Sequence, residues 1–224
     1  MKKNHTIVTF LKFGAEEHIK DLHRNGTIFM NPIQYFRTLE DEELRGDSYE
    51  GISKITNLPP GQFEIPAIGF KGNYLSIQLR ESYETILGNI FSLYCISSHG
   101  WKRPKDFKFD ERIKRFGSHC LVVKDNMTFL SRIKNELERL DLRCRHGFIE
   151  YYDKHTVNRT ITLFEKPLEF EYQKEFRFYV ERDSDQPFKF SIGSLTEIAE
   201  IHPTESILDT LELRPGRQSQ MAGK

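Results

Sequence analysis

Apolar residues in the first part of the chain come in short runs that alternate between strand and helix periods. Residues 7–13 are β-branched and aromatic, which is typical of a buried strand. An apolar stripe at helical spacing then predicts a helix over residues 16–26, with two glutamates in its first turn and Gly26 as its C-terminal cap. Residues 27–30 predict a second strand, and a second short helix is predicted from Ile33 onward.

The rest of the chain mixes hairpins with one amphipathic helix. Between residues 52 and 79, short β-like runs are divided by Pro-Pro-Gly and Lys-Gly-Asn, which is typical of antiparallel hairpins. Asn89–Ser97 is apolar on both faces apart from small hydroxyls and is predicted to be a central strand. Further strands are predicted over residues 119–124, 147–152, 160–164, 173–180 and 188–192, with a helix over residues 127–140. This order predicts an α+β fold with a mixed, largely antiparallel sheet and a few short helices.

No shift in composition marks a linker, so residues 1–213 are expected to form a single α+β domain. Residues 214–224 are polar and are predicted to be a disordered tail.

Composition excludes some function classes. The 33 basic and 33 acidic side chains cancel, so no global field steers the protein to nucleic acid or to an acidic membrane. Three widely spaced cysteines favour buried thiols in a reducing compartment, and no segment is apolar enough for a signal peptide or a membrane span. We therefore expect a cytoplasmic protein with no membrane partner.

Motifs for nucleotide and metal sites are absent from the sequence. It has no Walker loop and no Gly-x-Gly-x-x-Gly motif, so no P-loop or Rossmann nucleotide site is expected. No histidine pair has ligand spacing, so no metal is expected.

The predicted strand over residues 173–180 carries the most site-like pattern. With a period of two, Gln173, Glu175 and Arg177 share one face, while aromatic residues dominate the other. One interpretation is an ordinary surface strand with one face in water. The other is that this face lines a cleft, where Arg177 orients Glu175 and the surrounding aromatic residues perturb the pKa of the carboxyl.

Gln173-Lys174-Glu175 resembles the Gln-x-Glu motif of ADP-ribosyltransferases. The resemblance implies that Glu175 is catalytic: it would bond the ribose of NAD, the implied substrate, and stabilise the cationic oxocarbenium-like transition state as nicotinamide departs. Ser97 and Ser98, which close the central strand, resemble the small hydroxyl element that supports the NAD pocket of this family.

The order of elements is similar to the branch of this superfamily whose toxins modify DNA, and to an uncharacterised bacterial family. Arg45 matches an arginine of that branch in position. It either forms an ion pair with Asp47 in a solvated turn or reaches into the cleft to hold the diphosphate or the acceptor, with Tyr35 and Arg37 in reserve.

The resemblance implies that Lys12 and Phe13 of the first strand contact NAD. Lys12 departs from the family, which usually has His or Arg there. A lysine can bond a ribose hydroxyl or phosphate, but it lacks the planar fork of arginine.

The resemblance implies a toxin or phage-defence effector that modifies a nucleic acid or a protein, with a neutralising protein as a further expected partner. Two alternatives stay open. One is a non-catalytic binding module of a defence or toxin-antitoxin assembly, in which Glu175 and Arg177 form a structural ion pair. The other is a nucleic-acid-binding protein that uses the basic and aromatic stretch from His99 to Arg115.

Overall fold

The computed structural model describes residues 5–39, 46–83, 87–101, 103 and 107–213. The fold is α+β, and its sheets are largely antiparallel, as predicted. The strands are β1 (Ile7–Gly14), β2 (Thr27–Pro32), β3 (Ile52–Leu58), β4 (Gly61–Ile65), β5 (Phe70–Tyr74), β6 (Ile77–Ser82), β7 (Asn89–Ser97), β8 (His119–Val123), β9 (Cys144–Phe148), β10 (Glu150–Tyr152), β11 (Arg159–Thr160), β12 (Glu165–Pro167), β13 (Glu175–Val180), β14 (Phe188–Ser191) and β15 (Ala199–Pro203). The helices are α1 (Glu16–Asn25), α2 (Ile33–Thr38), α3 (Asn126–Arg139) and α4 (Thr204–Thr210), with 3-10 helices at Pro66–Ile68, Glu111–Phe116 and Leu168–Gln173.

An eight-stranded sheet forms the centre of the molecule, and β7 is its central strand. On one edge, β7 pairs with β13 along residues 89–94. On its other edge, β1 pairs with residues 94–97 and β2 pairs with residues 89 and 90. No described strand pairs with residues 91–93 on this second edge, so the sheet is split there, between β1 and β2.

Apolar side chains cover both faces of this sheet. On one face, α1 and α3 pack on alternate residues of β1, β7 and β13, including Phe10, Leu93 and Phe176. The opposite face carries Leu11, Tyr94 and Ile96, which pack against the 3-10 helices Glu111–Phe116 and Leu168–Gln173 and against α4. Burial on both faces explains why the sequence of β7 is apolar at odd and even positions alike.

Three smaller sheets flank the split sheet. One has the order β11-β3-β6, a second is the hairpin β4–β5, and the third is the parallel pair β10–β12. The hairpin is apolar on one face, where Phe63, Ile65 and Phe70 are exposed, and its other face carries an ion pair between Glu64 and Lys71.

Most predicted elements are present, with four corrections. The predicted strand over residues 147–152 is divided between β9 and β10, because the chain leaves its pairing with β13 at Ile149 and Glu150 N bonds Phe164 O instead. Lys71-Gly72-Asn73, predicted to divide two strands, lies inside β5, and the turn falls at Pro66–Ile68, where Gly69 adopts the left-handed conformation that ends it.

The predicted strand over residues 173–180 begins only at Glu175, because Gln173 ends a 3-10 helix and Lys174 adopts a left-handed conformation with φ of 41°. The predicted strand over residues 160–164 is replaced by the short strands β11 and β12. Sequence patterns missed β15 and α4, since β15 is short, alternates polar residues and ends in proline. Residues 214–224 lie outside the described residues.

Candidate functional site

A cleft of about 810 Å³ runs through the split in the central sheet. Residues of the sheet strands β1, β2, β7 and β13 form its walls. Helix α1 lines the cleft from one face of the sheet, and β12 and the 3-10 helix Glu111–Phe116 line it from the other. Aromatic rings contribute much of the lining, namely Phe13, Phe29, Tyr35, Phe36, Phe91 and Tyr94. A cleft of this size can enclose most of a cofactor-sized ligand.

The carboxylate of Glu175, the first residue of β13, is the centre of the polar floor of the cleft. Its Oε1 accepts hydrogen bonds from Ser92 Oγ at 2.6 Å and from Arg177 Nε at 2.8 Å. Its Oε2 lies 2.9 Å from Lys166 Nζ. Three donors on two oxygens fix the orientation of the carboxylate, and two of them are cationic, which makes these hydrogen bonds strong.

Arg177 joins Glu175 to a second carboxylate. Its Nη1 and Nη2 donate to Glu50 Oε1 and Oε2 at 2.7 Å and 2.8 Å, and Nη1 also donates to Leu163 O at 2.7 Å. The side chain of Arg177 is fully buried. A buried guanidinium needs acceptors for its donors, and Glu175, Glu50 and Leu163 together supply them at Nε, Nη1 and Nη2.

The surroundings of Glu175 keep it ionised. Burial alone would raise the pKa of this carboxyl, but the charges of Arg177 and Lys166 and the hydrogen bonds from Arg177 and Ser92 outweigh burial and hold the pKa well below its ordinary value. Burial would likewise lower the pKa of Arg177, and the charges of Glu175 and Glu50 raise it instead. Glu175 is therefore a fixed anion and not a proton donor at neutral pH.

The parallel pair β10–β12 holds the start of β13 in place. Tyr151 and Lys166 are partners in this ladder, and both contact Glu175. Glu175 N donates to Tyr151 Oη at 3.0 Å, while Lys166 Nζ reaches the carboxylate and also donates to Gln173 Oε1 at 2.9 Å. One ladder step therefore fixes both the backbone and the side chain of Glu175.

A further buried carboxyl, Asp47, lies next to this network. It begins the turn that places Glu50 on Arg177, through hydrogen bonds from Glu50 N to Asp47 O at 2.9 Å and from Tyr49 N to Asp47 Oδ1 at 2.8 Å. Asp47 Oδ2 is buried and has no hydrogen-bond partner among the described residues. Burial raises the pKa of Asp47 to about 6, with the charge of Lys166 opposing this shift and that of Glu50 adding to it.

Five of the site residues predicted from the sequence line the cleft, namely Lys12, Phe13, Tyr35, Gln173 and Glu175. Lys12 lies in the split itself, where its Nζ donates to Ser92 O at 2.8 Å and stands 4.5 Å from the centre of the Phe91 ring. The strand face of Glu175 and Arg177 points into the cleft and is buried, so the surface-strand interpretation is wrong. Arg45 lies outside the described residues.

Ser97 and Ser98 are not among the residues that line the cleft. They lie at the far end of β7, where Ser97 pairs with Ile7 and Ser98 Oγ accepts a hydrogen bond from Thr6 N at 2.9 Å. The hydroxyl that reaches Glu175 belongs to Ser92, five residues before Ser97 on the same strand. Ser92 is the one polar residue inside the apolar run of β7, and that signal could have identified it.

Sequence patterns also missed Glu50 and Lys166. Glu50 belongs to a densely polar segment, in which no single charge stands out by spacing. Lys166 is flanked by Glu165 and Pro167 and resembles an ordinary surface lysine, yet it is only 5% exposed. Nothing local in the sequence marks either residue, because the groups that hold them come from distant segments.

The described aromatic rings of the stretch from His99 to Arg115 pack against the central sheet. Trp101, Phe107 and Phe109 pack on one another and on Tyr94 beside the central sheet, with ring centres 4.9 to 6.2 Å apart. His99 stacks on Phe148. Phe109 is buried, while Trp101 and Phe107 are partly exposed, so contact of this stretch with nucleic acid stays a prediction.

Other kinds of chemistry find no support in the described part of the chain. It holds no group of three or more His, Cys, Asp or Glu that could bind a metal ion. The three cysteines form no disulfide, and burial raises the pKa of Cys95 to about 12 and that of Cys144 to about 11, so neither is a thiolate at neutral pH. None of the described helices is long and apolar enough to cross a membrane.

Comparison with known proteins gives no independent assignment of this site. No protein-family model, no curated protein and no solved structure matches the chain.

Proposed function

We propose that the cleft binds NAD and that Glu175 supports transfer of its ADP-ribosyl group to a macromolecule, either a nucleic acid or a protein. The observation that carries this proposal is the fixed anionic carboxylate of Glu175 at the floor of a dinucleotide-sized cleft in a split sheet. The Gln-x-Glu motif supports it, since Gln173 and Glu175 both line that cleft although they belong to different elements.

The reaction suits a fixed carboxylate. As the glycosidic bond between C1′ of the ribose and the pyridinium nitrogen breaks, its electron pair leaves with neutral nicotinamide, and positive charge develops on the ribosyl carbon and ring oxygen. A carboxylate that is already oriented stabilises this charge more than it stabilises the bound substrate. A lone pair of the acceptor then forms the new bond to C1′, and the acceptor loses a proton to solvent.

The rest of the cleft supports a dinucleotide. Flat aromatic surfaces such as those of Phe13, Tyr35 and Phe91 are suited to stack nicotinamide or adenine. Lys12 and Lys189 are cations of the lining that are placed on different strands, and they are candidate contacts for the diphosphate. The proposed acceptor would approach through the open side of the cleft near Phe29 and Tyr35, both of which are partly exposed.

A non-catalytic binding module is the second candidate function. The observation in its favour is the chain of ion pairs from Glu50 through Arg177 to Glu175 and Lys166, all of them buried. The sole role of such a network can be structural, namely to join the turn that precedes β3 to β12 and β13. In that case the cleft would bind a ligand without turnover, and Glu175 would matter for stability alone.

NAD titration by calorimetry, followed by an assay for released nicotinamide in the presence of DNA, RNA or cell extract, separates these functions. We expect saturable NAD binding by the wild type and nicotinamide release that Glu175→Gln abolishes. Tyr35→Ala removes a ring from the cleft wall and should weaken NAD binding about tenfold, on the scale of one stacked base. Phe70→Ala, which truncates an exposed ring of the β4–β5 hairpin, is the matched control and should bind like the wild type.

The outcomes are distinct even where Glu175→Gln fails to fold, because Tyr35 lies outside the ion-pair network. A folded wild type that binds no NAD rules out the transferase. The binding module is favoured if the wild type binds NAD, Tyr35→Ala weakens this binding, and no nicotinamide is released with any of the acceptors.

A further inference from the structure

The lysine beside Glu175 occupies an unusual position for its residue type. Lys166 is on β12, and its side chain is 7% exposed. Lysine is rarely buried to this degree unless it is paired, and here its Nζ contacts Glu175 Oε2 and Gln173 Oε1, both at 2.9 Å. It also stands 5.4 Å from the centre of the Phe170 ring. The two groups it joins are the two polar members of the Gln-x-Glu motif.

The cations around Glu175 are not equivalent. Arg177 gives both of its terminal nitrogens to Glu50 and only Nε to Glu175. Lys166 supplies the second positive charge, so the four groups Glu50, Glu175, Arg177 and Lys166 balance. Without the lysine, two buried carboxylates would share one guanidinium, and Glu175 Oε2 would lose the donor that holds it.

The backbone places Lys166 with little freedom. Its β-ladder partner Tyr151 accepts the hydrogen bond of Glu175 N, so the ammonium group and the phenol hold the same residue from one ladder step. Gln173 and Glu175 lie on either side of Lys174, whose left-handed backbone breaks the strand pattern between them. A shared contact is therefore needed to bring their side chains to one point of the cleft.

We propose that Lys166 is a positioning residue of the cleft, which holds the side chains of Gln173 and Glu175 together so that the carboxylate faces a ribosyl hydroxyl or another donor of the bound ligand. Only the identity of that ligand depends on the proposed function. The orientation and ionisation of Glu175 belong to the unliganded protein and can be measured without NAD.

The test compares Lys166→Met, which keeps the length of the side chain but removes the charge, with Lys166→Arg, which keeps the charge. Carbon-13 NMR of labelled glutamate side chains follows the ionisation of Glu175, assigned by the signal that Glu175→Gln removes. We expect Glu175 to titrate about 1–3 pH units higher in Lys166→Met than in the wild type, the range for the loss of one close opposite charge. In Lys166→Arg, which keeps the charge, Glu175 should titrate close to its wild-type position.

Lys124→Met is the matched control, since it breaks the exposed ion pair with Glu200 and should leave Glu175 unchanged. If Lys166→Met fails to fold, Lys166→Gln, which retains a donor but no charge, replaces it in the same measurement. A folded variant in which Glu175 titrates as in the wild type overturns the proposal, whatever its stability. The expected titration shift in a protein that binds no NAD leaves Lys166 as a positioning residue and contradicts the proposed function alone.

Discussion

At the scale of single residues, the strongest constraints in this molecule are the charges that it buries. Glu50, Glu175 and Arg177 are each at most 4% exposed, and each has hydrogen bonds to an opposite charge. Removing one member of such a network leaves the others buried without an opposite charge, in an environment that solvates ions poorly. The network is therefore costly to break, even where its net contribution to stability is small.

Arg177→Met tests this directly. The variant leaves Glu50 and Glu175 buried with Lys166 as the nearby cation, and we expect a loss of roughly 3–5 kcal/mol in the free energy of unfolding, measured by urea denaturation. Arg139→Met is the control, because Arg139 pairs with Glu136 on the exposed side of α3, and its loss should be much smaller. A loss from Arg177→Met no larger than that of the control would contradict the network as described.

Asp47 gives the protein a pH dependence of opposite sign to that of an ordinary ion-paired carboxyl. Its pKa is raised to about 6 by burial, so between about pH 4 and pH 6 the folded state binds more protons than the unfolded state, and stability falls as the pH rises. The groups that face Asp47 are Lys166, Glu50 and Arg177, with the hydroxyl of Tyr152.

Asp47→Asn removes this proton linkage. We expect the free energy of unfolding of the variant, relative to the wild type, to rise by roughly 3 kcal/mol between pH 4 and pH 7. Urea denaturation at several pH values measures it, and the difference between the two proteins cancels the contribution of Glu175, which both share. Asp153→Asn is the control: hydrogen bonds from His155 N and Thr156 lower the pKa of this exposed carboxyl, so its linkage has the opposite sign. A wild type and Asp47→Asn with parallel pH profiles would contradict the assignment.

Residue patterns predicted only part of this site. Alternation along β13 identified Glu175 and Arg177, because a period of two places them on one face whatever surrounds the strand. The same alternation could not supply Glu50, which lies 127 residues away from Arg177 in the chain, or Lys166, whose role depends on the ladder between β10 and β12. The spacing of residues along a strand predicts which side chains share a face of that strand. It does not predict which distant segments pack against that face.

At the scale of elements, α1 ends at a position where only glycine fits. Gly26 has a φ of 64°, donates its N–H to Leu22 O at 2.9 Å, and lies directly against the backbone of Gly193. An added Cβ would overlap the carbonyl of Gly193. The glycine therefore serves both the helix cap and the close approach of the segment that follows β14.

Gly26→Ala should lower the free energy of unfolding by more than the strain of a left-handed alanine alone. Gly69 is a matched comparison, since its φ is 63° and a Cβ there would meet open space. We expect Gly69→Ala to cost roughly 1–2 kcal/mol from backbone strain, and Gly26→Ala roughly 2–5 kcal/mol, because the clash adds to that strain. Thermal denaturation of both variants measures the difference. Equal losses would show that the close approach to Gly193 is relieved at little cost.

Element prediction succeeded where one pattern of residues ran without interruption. The bounds of β7 match the predicted strand because both of its faces are apolar over nine residues. It failed at residues 173–174, where the polar and apolar alternation continues through the end of a 3-10 helix. Short helical turns and strands can share the same alternation over a few residues, so the pattern could not locate this boundary.

At the scale of the whole molecule, the split sheet forms the cleft, whereas the β4–β5 hairpin takes no part in it. The split positions the cleft, and its topology, with β1 and β2 on the same edge of β7, has no signature in local sequence. None of the hairpin residues lines the cleft, and the hairpin carries the exposed side chains of Phe63, Ile65, Ile68 and Phe70. We therefore expect the hairpin to be dispensable for the fold and for the site.

Replacing residues 59–76 with Asn-Gly tests that expectation. Leu58 and Ile77 are the last partners of the antiparallel pair β3–β6, so a two-residue turn of this type can join them without changing the register. The shortened protein should unfold within about 1 kcal/mol of the wild type, since a two-stranded hairpin with an exposed apolar face adds little stability. It should also self-associate less in sedimentation experiments, because an exposed apolar patch is removed.

A variant that shortens residues 59–76 to Gly-Gly keeps the loop length and controls for the turn sequence, since Asn-Gly favours the tight turn more strongly. If both shortened proteins lose the cooperative unfolding of the wild type, the hairpin is part of the core and the expectation is wrong. If both stay folded and the NMR titration of Glu175 is unchanged, the split sheet with its buried ion pairs is sufficient to form the site.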